Sequence, residues 1–193
     1  MNTSFFTRAS AYIIDAIIVL IILNIITIGV PTNNSYNEKI TELTKQLSNG
    51  EITTQEYYDQ YADVYYDLQK SNTVVNAISI ILTIAYFVVF QYLNKGQTIG
   101  KKLFNLKIVS ADEKPIKLSQ IIIRSIFIYS LISAILNIIF VYIICKDSYY
   151  MVSTITTMID TLLILITVIF ILFRQDKRGM HDVIAKTKVI KEI

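Results

Sequence analysis

The chain has 193 residues, 53% of them hydrophobic and 17% charged, with a formal net charge of +3. Soluble globular domains are about 45–50% apolar and about 25% charged, so this balance excludes an ordinary soluble enzyme and a disordered chain alike. The single cysteine, Cys145, excludes an intrachain disulfide, and the single histidine, His181, excludes a multi-histidine metal centre within one chain.

The apolar residues collect in four blocks, about 11–30, 73–93, 125–145 and 151–173. Each has about 20 residues or more, enough for a helix rising 1.5 Å per residue to cross a hydrocarbon core about 30 Å thick. The expected fold is therefore an all-α membrane protein, one domain over 1–193 with four transmembrane helices. Asp15 interrupts the first block and no A-x-A-like cleavage site follows, so this block reads as a retained helix and not as a signal peptide.

The segment 31–72 reads as a helical insertion between the first two spans. Pro31 and the residues after it mark a helix stop and a turn. Ile40, Leu43 and Leu47 have amphipathic helical spacing, Asn49-Gly50 ends that helix, and Thr53-Thr54-Gln55-Glu56 has capping-box form. No Gly or Pro follows until Gly96, which predicts one long helix from about Thr54 through the second span. Tyr57, Tyr61 and Tyr65 recur on it, as do Asp59, Asp63 and Asp67. They form either a partner-binding or cation-collecting surface, or a tyrosine seam packed on the preceding helix beside a solvated acidic face.

Beyond the second span, Leu106–Ser110 and Pro115–Leu118 alternate like two short strands about a turn, and Thr187–Lys191 in the tail alternates in the same way. A small sheet joining the 104–118 loop to the tail is expected. Gly96-Gln97-Thr98-Ile99-Gly100-Lys101-Lys102 lacks the spacing of a phosphate loop and follows a membrane helix, so it reads instead as a turn gripping anionic lipid headgroups. In Arg178-Gly179-Met180-His181-Asp182, no nucleophile accompanies the His-Asp pair. The dipeptide reads as a tight turn with a special angle at Gly179 and Asp182 accepting backbone N–H bonds. No enzyme activity, cofactor, metal or nucleic-acid partner is expected.

Of the 18 Lys and Arg residues, only Lys39, Lys45, Lys70 and Lys146 fall in the 31–72 and 146–150 segments. The others lie before the first span, in 94–124 and after 173. Cytoplasmic segments carry the excess of Lys and Arg, which places both termini in the cytoplasm and 31–72 outside.

Two aspartates fall within spans, where an ionised side chain costs about 2.5–3.5 kcal/mol on insertion scales. Asp15 sits near the start of the first and Asp160 near the middle of the fourth. Arg8 and Asp15 are about 10 Å apart along one helix, too far for direct contact, and Arg124 is the expected partner of Asp15. Around Asp160 three polar seams are predicted to converge: Ser153, Thr157 and Thr167; Asn76, Ser79, Thr83 and Tyr86; Ser130, Ser133 and Asn137. Such a lining serves passage of a small cation or proton, or it is hydrogen-bonding glue between helices.

Three ordered segments resemble the RDD family of small membrane proteins, named for one arginine and two aspartates. Arg8-Ala9-Ser10-Ala11-Tyr12-Ile13-Ile14-Asp15 is similar to its opening, and Gly96 to Val109, with Gly100 and Lys101, to its central GxTxGKxxxxxxV segment. Arg124 matches an arginine expected soon afterwards. Arg178-Gly179-Met180-His181-Asp182 to Val189 is similar to its closing RGxHDxxAxTxV segment, with Lys186 where a glycine is usual. The resemblance implies a multi-pass protein of the bacterial plasma membrane, with transport proposed and cation/proton antiport reported for some members. It also implies that Arg8 and Asp15 are family residues and that the second family aspartate is Asp182 in preference to Asp160. The expectation is thus a small transporter, with Asp15 and Asp160 on the ion pathway, Arg8 or Arg124 tuning them, and a homo-oligomer supplying a thicker wall. The alternative is a non-transporting scaffold with a protein partner at 31–72 and lipid on its basic face.

Overall fold

A computed structural model describes residues 3–30, 35–112 and 114–192. The expected turn at 31–34 lies outside them. Helix α1 (Phe5–Thr27) leads to a helical hairpin, α2 (Ser35–Ser48) and α3 (Thr54–Ser71). Gly50 closes the hairpin with φ +74, its N–H donating to Leu47 O and that of Glu51 to Gln46 O, the two bonds of a Schellman motif. Thr53 and Glu56 form the expected capping box, Glu56 N to Thr53 Oγ1 at 3.2 Å and Thr53 N to Glu56 Oε2 at 2.8 Å.

The single long helix expected from Thr54 is interrupted. Asn72 (φ −87, ψ 7) leaves helical geometry, and α4 (Thr73–Ile84) begins beyond it. A π-helical stretch, Ala85–Phe90, then leads to α5 (Gln91–Leu93). The third apolar block is not straight either: α7 (Leu118–Ile128) and α8 (Leu131–Ile143) meet at 64°. Ser130 at the corner is left-handed, φ 48 and ψ 39, a conformation that stops a helix without Gly or Pro. The last helix, α9 (Lys146–Phe173), starts earlier than expected and absorbs the 146–150 segment. Phe5–Thr27, Thr73–Leu93 and Lys146–Phe173 are each long and apolar enough to cross a membrane, with a fourth span if α7 and α8 count as one broken span.

Helix α3 packs on α2 and also on α9, and its tyrosine stripe meets rings of α9. Tyr57, Tyr61 and Tyr65 stack in sequence, and Tyr61 and Tyr65 meet the Tyr150 ring edge-on at 5.5 and 5.4 Å. Tyr66 Oη donates to Val141 O at 3.0 Å. Lys146 lies 3.5 and 3.2 Å from Asp63 and Asp67, so part of the acidic face is neutralised from the start of α9.

At the other end, α6 (Ile99–Leu103) is followed by β1 (Leu106–Ser110), and α10 (Met180–Ile184) by β2 (Thr187–Lys191). The strands pair antiparallel, Leu106 opposite Lys191 and Ser110 opposite Thr187. Pro115–Leu118 adds no strand. Proline brings no N–H to a ladder, and Lys117 instead caps α7, its N–H donating to Gln120 Oε1. The sheet's inner face, Leu106, Ile108 and Val189, closes on Ala11 of α1. Thr3 Oγ1 also donates to Val189 O at 3.4 Å. The chain start, the 94–117 segment and the tail thus form one assembly at one end of the helices.

Candidate functional site

Asp15 is fully buried where α1 crosses α6. Its Oδ1 accepts from Tyr86 Oη at 2.7 Å and from the Gly100 N–H at 2.7 Å, and its Oδ2 accepts from Thr98 Oγ1 at 2.5 Å. Lys101 Nζ stands 3.8 Å from Oδ2. The local backbone explains the fit. Lys95 (φ 53) and Gly96 (φ +93) end α5 in a Schellman motif, with Lys95 N donating to Tyr92 O and Gly96 N to Gln91 O. Gly96 O then accepts from Ile108 N at 3.1 Å, and a Cβ at Gly96 would strike the Ile108 carbonyl. Thr98 caps α6, which aims Gly100 N at the carboxylate. Lys101 therefore turns inward, and only Lys102 of the expected headgroup pair is exposed. Burial pulls the Lys101 ammonium down to about 8, against the opposing pull of Asp15.

The expected Arg124–Asp15 pair does not form. Arg124 Nη1 pairs with Asp182 Oδ1, and Arg8 Nη1 lies 3.5 Å from Asp182 Oδ2. The reason is geometric: the tail folds back so that α10 lies on α7, which puts Asp182 and not α1 beside Arg124. Thr187 Oγ1 donates to Asp182 Oδ1 at 2.9 Å and Gly179 N to Oδ2 at 3.3 Å. Asp182 thus accepts a backbone N–H as expected, but Gly179 (φ −70, ψ 166) has no special angle. Space is what excludes a side chain there, since a Cβ would lie 2.6 Å from His181 Cε1 and 3.1 Å from Thr167 Cγ2.

His181 is buried, and neither ring nitrogen has a hydrogen-bond partner among the described residues, although Nε2 lies 3.2 Å from Asp182 Oδ2. Burial, reinforced by Arg124, Arg8 and Lys101, holds its imidazole well below the usual range. Arg178 lies outside this cluster and shares Asp176 with Arg174 at 2.8 and 3.0 Å. The Arg174 hydrogen bond holds the Asp176 carboxyl far below the usual range.

Asp160 lies half-buried on α9 and accepts from Ser133 Oγ of α8 at 2.9 Å. A cavity of about 250 Å³ between α4, α8 and α9 is lined by Asn76, Ser79, Asn137, Ser153 and Thr157. These residues of the three seams do meet, and Thr157 stands one turn before Asp160. Tyr86 leaves its seam for Asp15, and Thr167 lines a different cavity, of about 280 Å³, between α1, α7 and α9. Arg8, Lys101, Arg124 and His181 also line this second cavity, while Asp15 and Asp182 stand behind them.

Thr98, Thr187 and Tyr86 are the partners that sequence reasoning missed. Thr98 and Thr187 stand inside the glycine-rich and closing segments, and a hydroxyl in an otherwise unexplained position was the available signal. Among the described residues no three His, Cys, Asp or Glu side chains gather into a metal site.

No curated protein and no solved structure matches the chain. The family model of the RDD family matches residues 3–186, nearly the whole chain, and together with the apolar helices this shows that the chain belongs to the RDD family of membrane proteins.

Proposed function

We propose that the protein is a small transporter of a monovalent cation or proton, with Asp160 as its ion-handling carboxylate. The observation that carries this reading is the polar cavity of about 250 Å³ between α4, α8 and α9, whose wall residue Thr157 stands one turn from Asp160. Intramembrane ionisable groups beside polar cavities mark ion and proton pathways. Asp160 keeps one side-chain donor, Ser133, so its carboxylate has capacity left for a cation or proton. The positive-inside bias puts the cavity on the outer side. Passage inward then requires movement, and the two irregular stretches, the Ser130 corner and the π-helical Ala85–Phe90, are where the helices give way most easily.

Asp15 has a different task in this reading. Three hydrogen-bond donors and Lys101 hold it and it is fully buried, so in this reading it locks α6 to α1 instead of exchanging ions. The same observation favours a second reading, a non-transporting scaffold held together by sealed carboxylates.

Proton-coupled Na⁺ and K⁺ flux in proteoliposomes separates the two. The expected result is flux above empty liposomes for the wild type and its loss in Asp160→Asn with an unchanged unfolding midpoint. A correctly oriented, folded wild type without flux overturns transport and leaves the scaffold reading.

A further inference from the structure

We infer that the cavity between α1, α7 and α9 is a binding site for one anionic phospholipid, its phosphate against Arg8, Lys101 and Arg124 and an acyl chain along the apolar walls. The charges point one way. Three cations line the cavity, whereas the two carboxylates that balance them, Asp15 and Asp182, lie behind and do not. Three against two leaves one positive charge uncompensated in a buried setting, where an unpaired charge is costly. Asp176 acts on Arg8 from farther away, but its carboxylate is held by Arg174 and Arg178.

Donors remain unused at the same place. Arg8 Nη1 is buried and has an ion pair at 3.5 Å to Asp182 but no hydrogen bond among the described residues, and the neutral ring of His181, 4% exposed, carries one N–H without a hydrogen-bond acceptor. Buried donors left unmatched are rare in native proteins and point to an absent acceptor. A phosphate diester supplies several acceptor oxygens and the missing negative charge.

The walls define the rest of the ligand. Phe5, Phe127, Ile164, Val168 and Ile171 offer no polar atom to a soluble anion. The helices also leave a way in. Close packing runs from α1 to α4, from α4 to α8 and from α8 to α9, and among the described residues none of comparable extent joins α1 to α9. The cavity lies at that seam, so a chain enters sideways from the bilayer without crossing water.

This site stands independently of ion transport through Asp160. Its test is native mass spectrometry of the full chain in detergent with equal amounts of phosphatidylglycerol and phosphatidylcholine. One uncompensated cation, at about 1 kcal/mol, predicts about fivefold preferential retention of phosphatidylglycerol, one molecule per chain. Val168→Trp obstructs the cavity from one of its apolar wall positions and is expected to abolish the preference, whereas Leu162→Trp, on an exposed position of α9, keeps it. Equal retention of the two lipids by the wild type overturns the site. So does a preference that survives Val168→Trp in a folded protein, which assigns the effect to surface lysines such as Lys102. Oleate displacing phosphatidylglycerol at equal concentration overturns the phospholipid in favour of a free fatty acid.

Discussion

At the scale of single residues, the ionic clusters are tolerated because each carboxylate is fully satisfied. Removing one partner of a buried ion pair costs about 3–5 kcal/mol, mostly through the charge left behind, so Arg8, Arg124 and Asp182 form one mutually dependent set. His181 adds a pH dependence. Its neighbours are Asp182 and the cations Arg124, Arg8 and Lys101, and burial holds its folded-state value well below the unfolded 6.5. Between those two values the unfolded chain binds the extra proton, so stability is fully present above pH 6.5 and falls as the pH drops below it. The free energy of unfolding in detergent is expected to fall between pH 7 and 5, by up to about 1.4 kcal/mol per pH unit from this group. His181→Gln removes that part of the slope. An identical slope in the variant would show that His181 does not titrate on unfolding.

At the scale of elements, α6 is five residues long and cannot hold itself in water. It is held by its crossing with α1, which Gly100 makes possible. A Cβ there would strike the Ala11 carbonyl and lie 2.8 Å from Asp15 Oδ1. Neither can withdraw, because one is helix backbone and the other is fixed by three donors. Gly100→Ala is expected to destabilise the protein by about 1–3 kcal/mol through overpacking alone, seen as a lower unfolding midpoint in detergent. Gly29→Ala, with nothing within 4 Å of the new methyl, is the matched control. Equal midpoints for the two variants would refute the close α1–α6 crossing.

At the scale of the whole molecule, three sequence-distant segments meet at one end: the chain start, 94–117 and the tail. Their joint sheet and ion pairs require that they share a side, and the expectation from the Lys and Arg bias is that this side is the cytoplasm. Cys145 makes this directly testable, since it is the single cysteine and is exposed at the opposite end, between α8 and α9. A membrane-impermeant maleimide added to intact cells is expected to label Cys145 without permeabilisation. Labelling that needs permeabilisation would invert the topology.

Much of this was legible in the sequence because it rests on short-range physics. Apolar blocks of about 20 residues force helices wherever lipid is the solvent, since every backbone N–H and C=O must be satisfied within the segment. The capping box at Thr53, the stop at Gly50 and the alternation in Leu106–Ser110 and Thr187–Lys191 are local signals of the same kind. The corner at Ser130 and the break at Asn72 were not legible, because neither carries Gly or Pro and both are positions where packing elsewhere overrides helix propensity. Pairing was the other blind spot. The apolar blocks alone imply that Asp15 and Asp160 each need a partner, since an ionised group at membrane depth is costly alone. That Asp182 takes Arg124 and Arg8, leaving Asp15 to two hydroxyls, a backbone N–H and Lys101, follows from the folded chain alone. That choice depends on where the tail folds back on α7, a contact between residues more than fifty positions apart that no local spacing encodes.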